Sequence, residues 1–321
     1  MDDELFTRSP HNPILTAANL PYRAHSVFNP AAVRLGDDVV LLLRVEDFRG
    51  HSHFAVARSA DGETDWHFDP QPALLPDSDS HPEDAWGIED PRAVYLPELD
   101  VHAVTFTSYS RFGPVVSLAL TRDFITFERR GLIMPPDDKD AALLPRRFGS
   151  GEEVKEGQEP GPEKWLLIHR PSSADDPAHI KLSRSVDLST WSDPEMLLAA
   201  RDGGWWDANK IGLGPPPIET RAGWLVLYHG VRQTASGSLY RMGLALLDRA
   251  SPWRVLARAD DWVFGPEELY ERTGDVPNVV FPSGAVLSSD GQQILLYYGA
   301  ADTSICLARA SLEDLLARLG V

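Results

Sequence analysis

Five segments of this 321-residue chain share one pattern, and their regular spacing constrains the fold more than any other feature. Each segment is a short run of alternating apolar residues followed by a small residue and a polar turn. The segments begin at Phe54, Val116, Ile180, Met242 and Ile305, so their starts lie 62, 64, 62 and 63 residues apart. Chance similarity does not keep such a spacing, and the pattern therefore indicates five repeats of about 60 residues each.

Two further apolar series precede these segments, which gives every repeat three predicted strands and room for a fourth. One series begins at Val39, His102, Lys164, Gly223 and Gln293, and the other comprises FNPAAVRLGDD, EDPRAVYLPE, KDAALLPRRF, KIGLGPPPIE and VVFPSGAVLSSD. Radial stacking of such sheets around an axis buries faces that one sheet cannot bury alone. The sequence therefore predicts an all-β fold, a five-bladed β-propeller forming one catalytic domain over residues 1–321. A β-sandwich does not repeat at this period, and a parallel β-helix has far shorter coils.

Two segments depart from the repeat. Residues 149–164 are polar, acidic and rich in Gly and Pro, which predicts a mobile loop. Residues 311–319 (SLEDLLARL) predict a short C-terminal helix, with Ser311 as its N-cap and Glu313 in its first turn. We expect this helix to pack beneath the propeller.

The charge and the cysteine content of the chain limit its partners and its compartment. The net charge is −18, which argues against nucleic acid and anionic membranes as partners, although a basic pocket can still lie inside an acidic surface. Cys306 is the only cysteine, so no intrachain disulfide can form. The N-terminus lacks the apolar run of a signal peptide, and no stretch approaches the roughly 18 apolar residues of a membrane span. These features predict a soluble cytoplasmic protein.

Charged and aromatic residues cluster at the predicted corners where a first strand begins and a second strand ends. In a propeller these corners open onto one mouth of the central channel. A single polar residue at a strand end is usually only solvated, but charges that follow apolar runs such as LLLR and LLIHR are costly to bury without partners. The first-strand residues are Asn29, Glu89, Asp90, Arg92, Lys139, Asp140, Asn209 and Lys210, and the second-strand residues are Arg44, Glu46, Tyr109, His169, Arg170, Tyr228, His229, Tyr298 and Asp302.

The residues at this mouth favour carboxylate chemistry on a glycan. The chain has no His/Cys cluster with zinc spacing, no HExxH motif, no Walker A motif and no Rossmann fingerprint, so we predict neither a metal nor a cofactor. An inverting hydrolase needs an acid and a base, whereas a phosphorylase needs one acid and a cationic site for phosphate. Arg170, Lys210 and His229, with the hydroxyl of Tyr240, supply such a site and favour phosphorolysis, with inorganic phosphate as co-substrate.

Seven segments, in order between Asn12 and Asp302, resemble glycoside hydrolase family 130: GIEDPRAVYL, DKDAALLPRRF, LLIHRP, GWWDANKIGLGPPPI, GWLVLYHG, YERTGDVPNVVFPSG and LLYYGAADTSI. The chain looks like the mannoside phosphorylases of that family, which cleave β-1,2- or β-1,4-mannosides. The resemblance implies a five-bladed propeller and inverting phosphorolysis that releases α-mannose 1-phosphate. The expected substrates are therefore a β-mannoside oligosaccharide and inorganic phosphate. Members of the family often associate, so a homo-oligomer is also compatible with the sequence.

The resemblance further implies roles for individual residues. Asp90, in the GIEDPR segment, matches the general acid, whose proton reaches the glycosidic oxygen through the 3-hydroxyl of the bound mannose. The corner residues Glu89, Arg92, Lys139 and Asp140 are predicted to contact the substrate at the same mouth. The other matches are Asn29, Arg44 and Asp302 at positions that hold the mannosyl unit, and Arg170, Lys210, His229 and Tyr240 at positions that hold phosphate.

Two other functions are compatible with the sequence. An inverting β-mannosidase of the same fold would need a second carboxylate as base, and Glu46, Glu89, Asp207 and Asp302 are the candidates. A non-catalytic glycan-binding propeller is the third hypothesis, because a propeller fold alone does not imply catalysis. A neutral sugar does not require a phosphate site, and this favours the enzyme.

Overall fold

The computed structural model describes residues 5–149, 161–173, 178–235 and 237–321, and within them five antiparallel sheets surround one axis. The predicted all-β, five-bladed propeller is therefore confirmed. Residues 150–160, which make up most of the predicted loop 149–164, lie outside the described residues. Among the helices of the described part, none has the length and apolar character needed to cross a membrane.

The first two blades each contain four strands in chain order. Strand β1 (Thr7–Arg8) and a 3-10 helix (Ala17–Asn19) precede them, and a second 3-10 helix (Pro82–Asp84) lies between them. Blade 1 consists of β2 (Ser26–Leu35), β3 (Asp38–Glu46), β4 (Ser52–Ser59) and β5 (His67–Phe68), and blade 2 of β6 (Ile88–Leu96), β7 (Val101–Ser110), β8 (Gly113–Thr121) and β9 (Glu128–Leu132).

Blades 3 and 4 continue this order, but the inner strand of blade 4 is divided. The two parts of that strand, Lys210–Leu213 and Ile218–Glu219, both pair with the next strand, Trp224–Thr234, on either side of residues 214–217, Gly-Pro-Pro-Pro. Proline has no N–H to donate to a neighbouring strand, so this run cannot continue the ladder. Blade 3 consists of β10 (Asp138–Leu143), β11 (Trp165–Pro171), β12 (Ile180–Ser185) and β13 (Glu195–Leu198), and blade 4 of β14 (Lys210–Leu213), β15 (Ile218–Glu219), β16 (Trp224–Thr234), β17 (Gly237–Leu247) and β18 (Val255–Arg258).

Blade 5 joins the two ends of the chain. It follows the short helix α1 (Leu269–Arg272) and consists of β19 (Val280–Leu287), β20 (Gln293–Ala300) and β21 (Ser304–Ser311), with β1 as its fourth strand. Thr7 lies opposite Arg309 in this ladder. Helix α2 (Leu312–Arg318) ends the blade, and the Ser311 hydroxyl accepts a hydrogen bond from the Asp314 N–H at 3.3 Å. The predicted C-terminal helix and its N-cap are therefore confirmed.

The apolar core forms five layers, one between each pair of neighbouring blades. Between blades 1 and 2, for example, the rings of Phe54 and Phe106 meet edge to face with their centroids 5.6 Å apart. Between blades 5 and 1, the fully buried Tyr297 packs with Leu41. Every sheet thus has both of its faces covered, which explains the long apolar runs seen in the second strand of each repeat.

The polar turns of the repeat share one hydrogen-bonding pattern. Asp61, Asp123, Asp187 and Asp248 each accept hydrogen bonds from the backbone N–H groups two and three residues further along. An aspartate that bonds to its own following backbone stabilises a turn locally. The turns between the third and fourth strands of blades 1 to 4 therefore carry the same residue for the same local reason.

A buried ion pair fastens β1 to blade 5. Glu271 in α1 is fully buried and accepts hydrogen bonds from Arg8 Nε at 2.8 Å, Arg8 Nη2 at 3.0 Å and the Tyr298 hydroxyl at 2.7 Å. The backbone N–H groups of Glu267 and Glu268 donate to the same carboxylate. Because an isolated buried carboxylate is very unfavourable, the ion pair with Arg8 offsets much of the cost of burying Glu271.

We expect Arg8→Ala to lower the free energy of unfolding by about 3 kcal/mol, because Glu271 stays buried without its countercharge. Thermal and urea unfolding measure this change. Arg130→Ala is the control, since Arg130 pairs with Glu128 through side chains that are 50% and 67% exposed. Loss of such a pair costs at most about 1 kcal/mol. Equal destabilisation of the two variants would contradict the anchoring role of Arg8.

Candidate active site

A β-bulge places a polar residue at the axis in three consecutive blades. On the inner strands, Asn29–Pro30, Asp90–Pro91 and Asp140–Ala141 each oppose a single residue of the next strand. The first residue of each pair has a positive φ of 45°, 49° and 52°, respectively. Asn and Asp adopt this left-handed conformation more readily than other non-glycine residues. The bulge therefore explains why Asn or Asp occupies this position in all three blades.

Asp90 lies at the centre of a cluster contributed by blades 1 and 2. It is buried, and its Oδ1 accepts hydrogen bonds from Asn29 Nδ2 at 2.9 Å and from Arg44 Nη1 at 2.8 Å. Arg44 Nη2 also lies 3.0 Å from Glu89 Oε1, and the guanidinium lies 4.4 Å from the centroid of the Phe28 ring. Four of the predicted site residues are thus in direct contact.

The pKa values of the two neighbouring carboxyl groups in this cluster, Asp90 and Glu89, are shifted in opposite directions. Burial favours the neutral form of both. At Asp90 the charge of Arg44, further nearby cations and the Asn29 hydrogen bond outweigh burial, so its pKa lies below the usual range. At Glu89, burial and the repulsion from Asp90 outweigh Arg44 and raise the pKa. Of the two, Glu89 is therefore the member that takes up a proton first as the pH falls.

Asp140, Arg170 and His229 form a second cluster between blades 3 and 4. Asp140 Oδ2 accepts a hydrogen bond from Arg170 Nε at 2.7 Å and lies 3.6 Å from His229 Nε2. A Cβ atom at Gly212 would overlap both Asp140 Oδ2 and the His229 ring, so only glycine leaves room for this contact. Burial opposes the ionisation of Asp140, but the charge of Arg170 holds its pKa well below the usual range. Burial lowers the pKa of His229 to about 3, so the imidazole is neutral near pH 7.

Lys210 and Tyr240 extend the second cluster along blade 4. Lys210 Nζ lies 5.5 Å from the centroid of the Tyr240 ring, whose centroid is 6.2 Å from that of His229. Burial and the charge of Arg170 lower the pKa of Lys210. Burial raises the pKa of Tyr240, so its hydroxyl remains a neutral donor. The four residues predicted to hold phosphate are therefore neighbours in the structure.

The electrostatic effects of Lys139 and Asp302 indicate that the two clusters share a single mouth. The charge of Lys139 lowers the pKa of both Asp90 and Asp140. Asp302, which follows β20 in blade 5, has a pKa raised to about 6 by burial and by repulsion from Asp90, despite the attraction of Arg44. All five blades thus contribute charged side chains to the same electrostatic environment.

Arg92 crosses the central channel. Arg92 is 1% exposed, and its guanidinium donates from Nε to the Gly214 carbonyl at 2.6 Å and from Nη1 to the Asp90 carbonyl at 3.0 Å. These carbonyls belong to blades 4 and 2, which are not adjacent in the ring. Arg92 therefore connects two blades through backbone contacts, and its contact with substrate stays a prediction.

Three other residues grouped with the mouth by their sequence position lie inside the blades. Tyr228 donates a hydrogen bond to Asp207 at 3.0 Å, and Tyr298 and His169 also have buried polar partners. Each is fully buried. Successive side chains of a strand point to opposite faces of the sheet. His169 precedes Arg170 and Tyr228 precedes His229, so both point away from their neighbour and into the packed interior of the blade. Asp207, one of the candidate hydrolytic bases, is engaged there by Tyr228 and by Arg258 at 2.7 Å.

One group within the described residues has donor atoms close enough to share a metal ion. The ligand atoms of His25, Glu46 and Asp275 all lie within 4.8 Å of one another. These side chains are half-buried or exposed, and exposed acidic groups commonly lie together without an ion. The group alone does not identify a metal centre, and the absence of a metal from the reaction stays a prediction.

The model of glycoside hydrolase family 130, described as beta-1,4-mannooligosaccharide phosphorylase, matches residues 6–319. The chain belongs to glycoside hydrolase family 130. A beta-1,4-mannooligosaccharide phosphorylase of Ruminococcus albus is 29% identical over 95% of this chain and 88% of its own length. A beta-1,2-mannobiose phosphorylase of Listeria innocua is 34% identical over 84% of this chain and 69% of its own length.

The same family relationship is evident in three dimensions. The solved structure of beta-1,2-mannobiose phosphorylase from Listeria innocua, in complex with beta-1,2-mannobiose, superposes with a TM-score of 0.83. The two sequences are 28% identical in that alignment, which covers 98% of this chain and 99% of the solved chain. The resemblance to family 130 inferred from the sequence is therefore confirmed.

Two arginines of the family-130 segment DKDAALLPRRF lie away from the mouth. Arg146 Nη1 pairs with Glu219 at 2.9 Å, and Arg147 Nε pairs with Glu98 at 3.2 Å. Both follow β10, which starts at the mouth beside Asp140 and runs away from it. The length of the strand thus separates them from the cationic cluster.

The sequence analysis of this family-130 chain missed the residues that support the site. Phe28 lies against Arg44, the Ser52 hydroxyl accepts a hydrogen bond from Arg44 Nε at 2.9 Å, and Gly212 makes room for Asp140. Gly212 offered a signal, because a glycine inside a strand often marks a close approach of another group. Phe28 and Ser52 offered none, since they are ordinary strand residues by pattern.

We expect Asp302→Asn to stabilise the protein at pH 8 and to have little effect at pH 4. Because the pKa of Asp302 is raised to about 6, its stabilising neutral form is complete below about pH 4 and is lost as the pH rises through 6. A shift of about two units corresponds to at most about 3 kcal/mol. Melting temperatures at both pH values test this, with the exposed Asp37→Asn as control. A Tm difference between Asp302→Asn and the wild type that is the same at both pH values would contradict the assignment.

Proposed function

We propose that this protein cleaves β-1,2- or β-1,4-linked mannosides by inverting phosphorolysis and releases α-mannose 1-phosphate. The observation that carries the proposal is one mouth in which the Asp90 carboxyl lies near a group of cations, since Lys139 acts on both Asp90 and Asp140. One acid beside a cationic site is what phosphorolysis requires. The phosphorylases of Ruminococcus albus and Listeria innocua support the substrate class and the two candidate linkages.

The mannosyl unit is assigned to the cluster of blades 1 and 2, with Asp302 from blade 5. Asn29 and Arg44 both bond to Oδ1 of Asp90, so we assign proton donation to Oδ2. Asn29 Oδ1 is buried and has no hydrogen-bond partner within the described part of the chain, which suits it to accept a sugar hydroxyl. Glu89 and Asp302, with their raised pKa values, offer further polar contacts to hydroxyl groups.

Phosphate is assigned to the cluster of blades 3 and 4. Asp140 holds Nε of Arg170, which directs the terminal nitrogens of the guanidinium to phosphate in a bidentate contact. Lys210 adds a positive charge and the Tyr240 hydroxyl adds a donor. His229 is neutral, and one of its ring nitrogens carries a proton to donate. The site thereby attracts an anion within a protein whose net charge is −18.

In the proposed step, a phosphate oxygen attacks the C1 atom of the mannosyl unit from the face opposite the leaving sugar. The glycosidic C1–O bond breaks, and the proton of Asp90 passes through the mannose 3-hydroxyl to the departing oxygen. One displacement inverts the configuration and gives the α-phosphate. Asp90 must hold a proton before the step, and a phosphate dianion beside Lys139 offsets the cations that keep its pKa low. We further propose that residues 1–321 act as one catalytic domain.

The proposal predicts that mannose 1-phosphate appears only when inorganic phosphate is present. The measurement is product release from a panel of β-1,2- and β-1,4-linked mannobiosides, with and without phosphate, and the preferred disaccharide identifies the linkage. Asp90→Asn should lower turnover at least about a hundredfold because it removes the acid, and it should lower the melting temperature without unfolding the protein because Arg44 loses its 2.8 Å ion pair with Asp90. Asp37→Asn is the matched control. Free mannose formed without phosphate would identify a hydrolase instead, and mannoside binding without turnover would identify a binding protein.

We expect Lys210→Ala to raise the KM for phosphate by about tenfold, with a much smaller change in the KM for the mannoside. A hydrogen bond to a charged group contributes about 1.5–3 kcal/mol, and the lower end of that range corresponds to about tenfold. Initial rates with each substrate varied in turn separate the two constants. Lys164→Ala is the control, because Lys164 precedes β11 at the end remote from the mouth. Equal effects on both KM values would remove Lys210 from the phosphate site.

A further inference from the structure

The three axial bulges differ in the residues that fix them. In blades 1 and 2 the second residue of the bulge is proline, Pro30 or Pro91, and the opposing residue is the apolar Leu43 or Phe106. Proline fixes φ near −65° and so rigidifies the bulge covalently. In blade 3 the bulge is Asp140–Ala141 and contains no proline, so another interaction must fix its conformation.

The residue opposite the blade 3 bulge is His169, and it belongs to a buried hydrogen-bonded chain. His169 Nδ1 lies 2.6 Å from Asp138 Oδ2, and Nε2 lies 3.0 Å from the Ser183 hydroxyl. These two hydrogen bonds thereby join β10, β11 and β12. Asp138, His169 and Ser183 are 1%, 0% and 0% exposed, respectively. A neutral imidazole satisfies both contacts when Nδ1–H donates to Asp138 and the Ser183 hydroxyl donates to Nε2.

Three groups of this kind form a nucleophilic centre when a substrate reaches the serine, but Ser183 is fully buried and does not meet solvent. Their positions in the chain indicate another role. Asp138 lies two residues before Asp140, and His169 directly precedes Arg170. The hydrogen-bonded chain therefore holds both strands that carry the Asp140–Arg170 pair, at the point where the bulge interrupts their ladder.

We propose that Asp138, His169 and Ser183 are positioning residues, which fix the blade 3 bulge in place of a proline and so direct Asp140 and Arg170 to the phosphate site. The inference rests on the proposed function, because it assigns the phosphate site to this cluster. Without these hydrogen bonds, only the Thr105 hydroxyl, which donates to the Ala141 carbonyl at 2.5 Å, restrains Ala141, and the left-handed Asp140 relaxes away from Arg170 and His229. A displacement of about 1 Å at such a site lowers activity by up to about a hundredfold.

The test is His169→Leu, alone and combined with Ala141→Pro. We expect His169→Leu to raise the KM for phosphate by about tenfold or more and to change the KM for the mannoside little, because the sugar cluster lies in blades 1 and 2. Ala141→Pro should restore most of the phosphate KM, since Pro30 and Pro91 already follow a left-handed residue at the equivalent position. A merely structural loss would affect stability without this rescue.

Two further variants guard against misfolding of His169→Leu. Asp138→Asn keeps a hydrogen-bond acceptor beside His169 and should retain a nearly normal phosphate KM, whereas Asp138→Ala should raise it. Tyr297→Phe is the matched control, because it removes a buried hydrogen bond of 2.7 Å to the Gly62 carbonyl, remote from the mouth. Its melting temperature should fall while both KM values stay unchanged. Equal phosphate KM values for Asp138→Ala and Asp138→Asn would overturn the inference.

Crystal structures of the His169 variants give a readout that does not depend on turnover. The Asp140 Oδ2 to Arg170 Nε contact of 2.7 Å should open beyond hydrogen-bonding distance in His169→Leu and close again with Ala141→Pro. An unchanged contact in His169→Leu overturns the inference whether or not the wild type is a phosphorylase. If the wild type cleaves mannosides without phosphate, the proposed function is overturned. The Asp140–Arg170 distance in His169→Leu still shows whether His169 fixes the bulge.

Discussion

Packing of the two apolar faces of every blade against its neighbours is the interaction on which the rest of the structure depends. Each of the five apolar layers needs both of its blades, so the ring is stable only when it is closed. Closure brings β1 into blade 5, where Arg8 meets the buried Glu271. The ends of the chain are thus tied together by the same event that completes the core.

A closed ring allows the inner strands to carry irregular backbone without losing stability. Asn29, Asp90 and Asp140 have left-handed conformations that an isolated strand would not keep, and the packed blades hold them at the axis. These three candidate site residues therefore sit on rigid strands. The distances between Asn29, Asp90 and Asp140 are set by the radius of the ring and by the bulges. The Asp90 cluster and the Asp140 cluster therefore keep a fixed separation.

Opposite charges held close in this environment determine the protonation states. Arg44 keeps Asp90 ionised while burial favours a proton on Glu89 and Asp302, and Asp140 stays ionised beside Arg170 while His229 stays neutral. The Asp90 cluster and the Asp140 cluster each combine a carboxylate with an arginine. A bound anion would raise the pKa of Asp90, because nearby cations, together with the Asn29 hydrogen bond, hold that pKa down.

The sequence by itself determined the five repeats, the propeller and the family, because strand periodicity and long motifs around Asp90 and Arg170 are local features. It did not show that β1 belongs to blade 5, since the two residues Thr7–Arg8 carry no pattern of their own. It also grouped His169 with the mouth, because the channel-facing residue of a strand cannot be told from its neighbour until the register and the bulge are known. Only the tertiary structure decided those points, because hydrogen-bond partners such as Ser183 and close approaches such as Gly212 to Asp140 arise between distant segments once the ring closes.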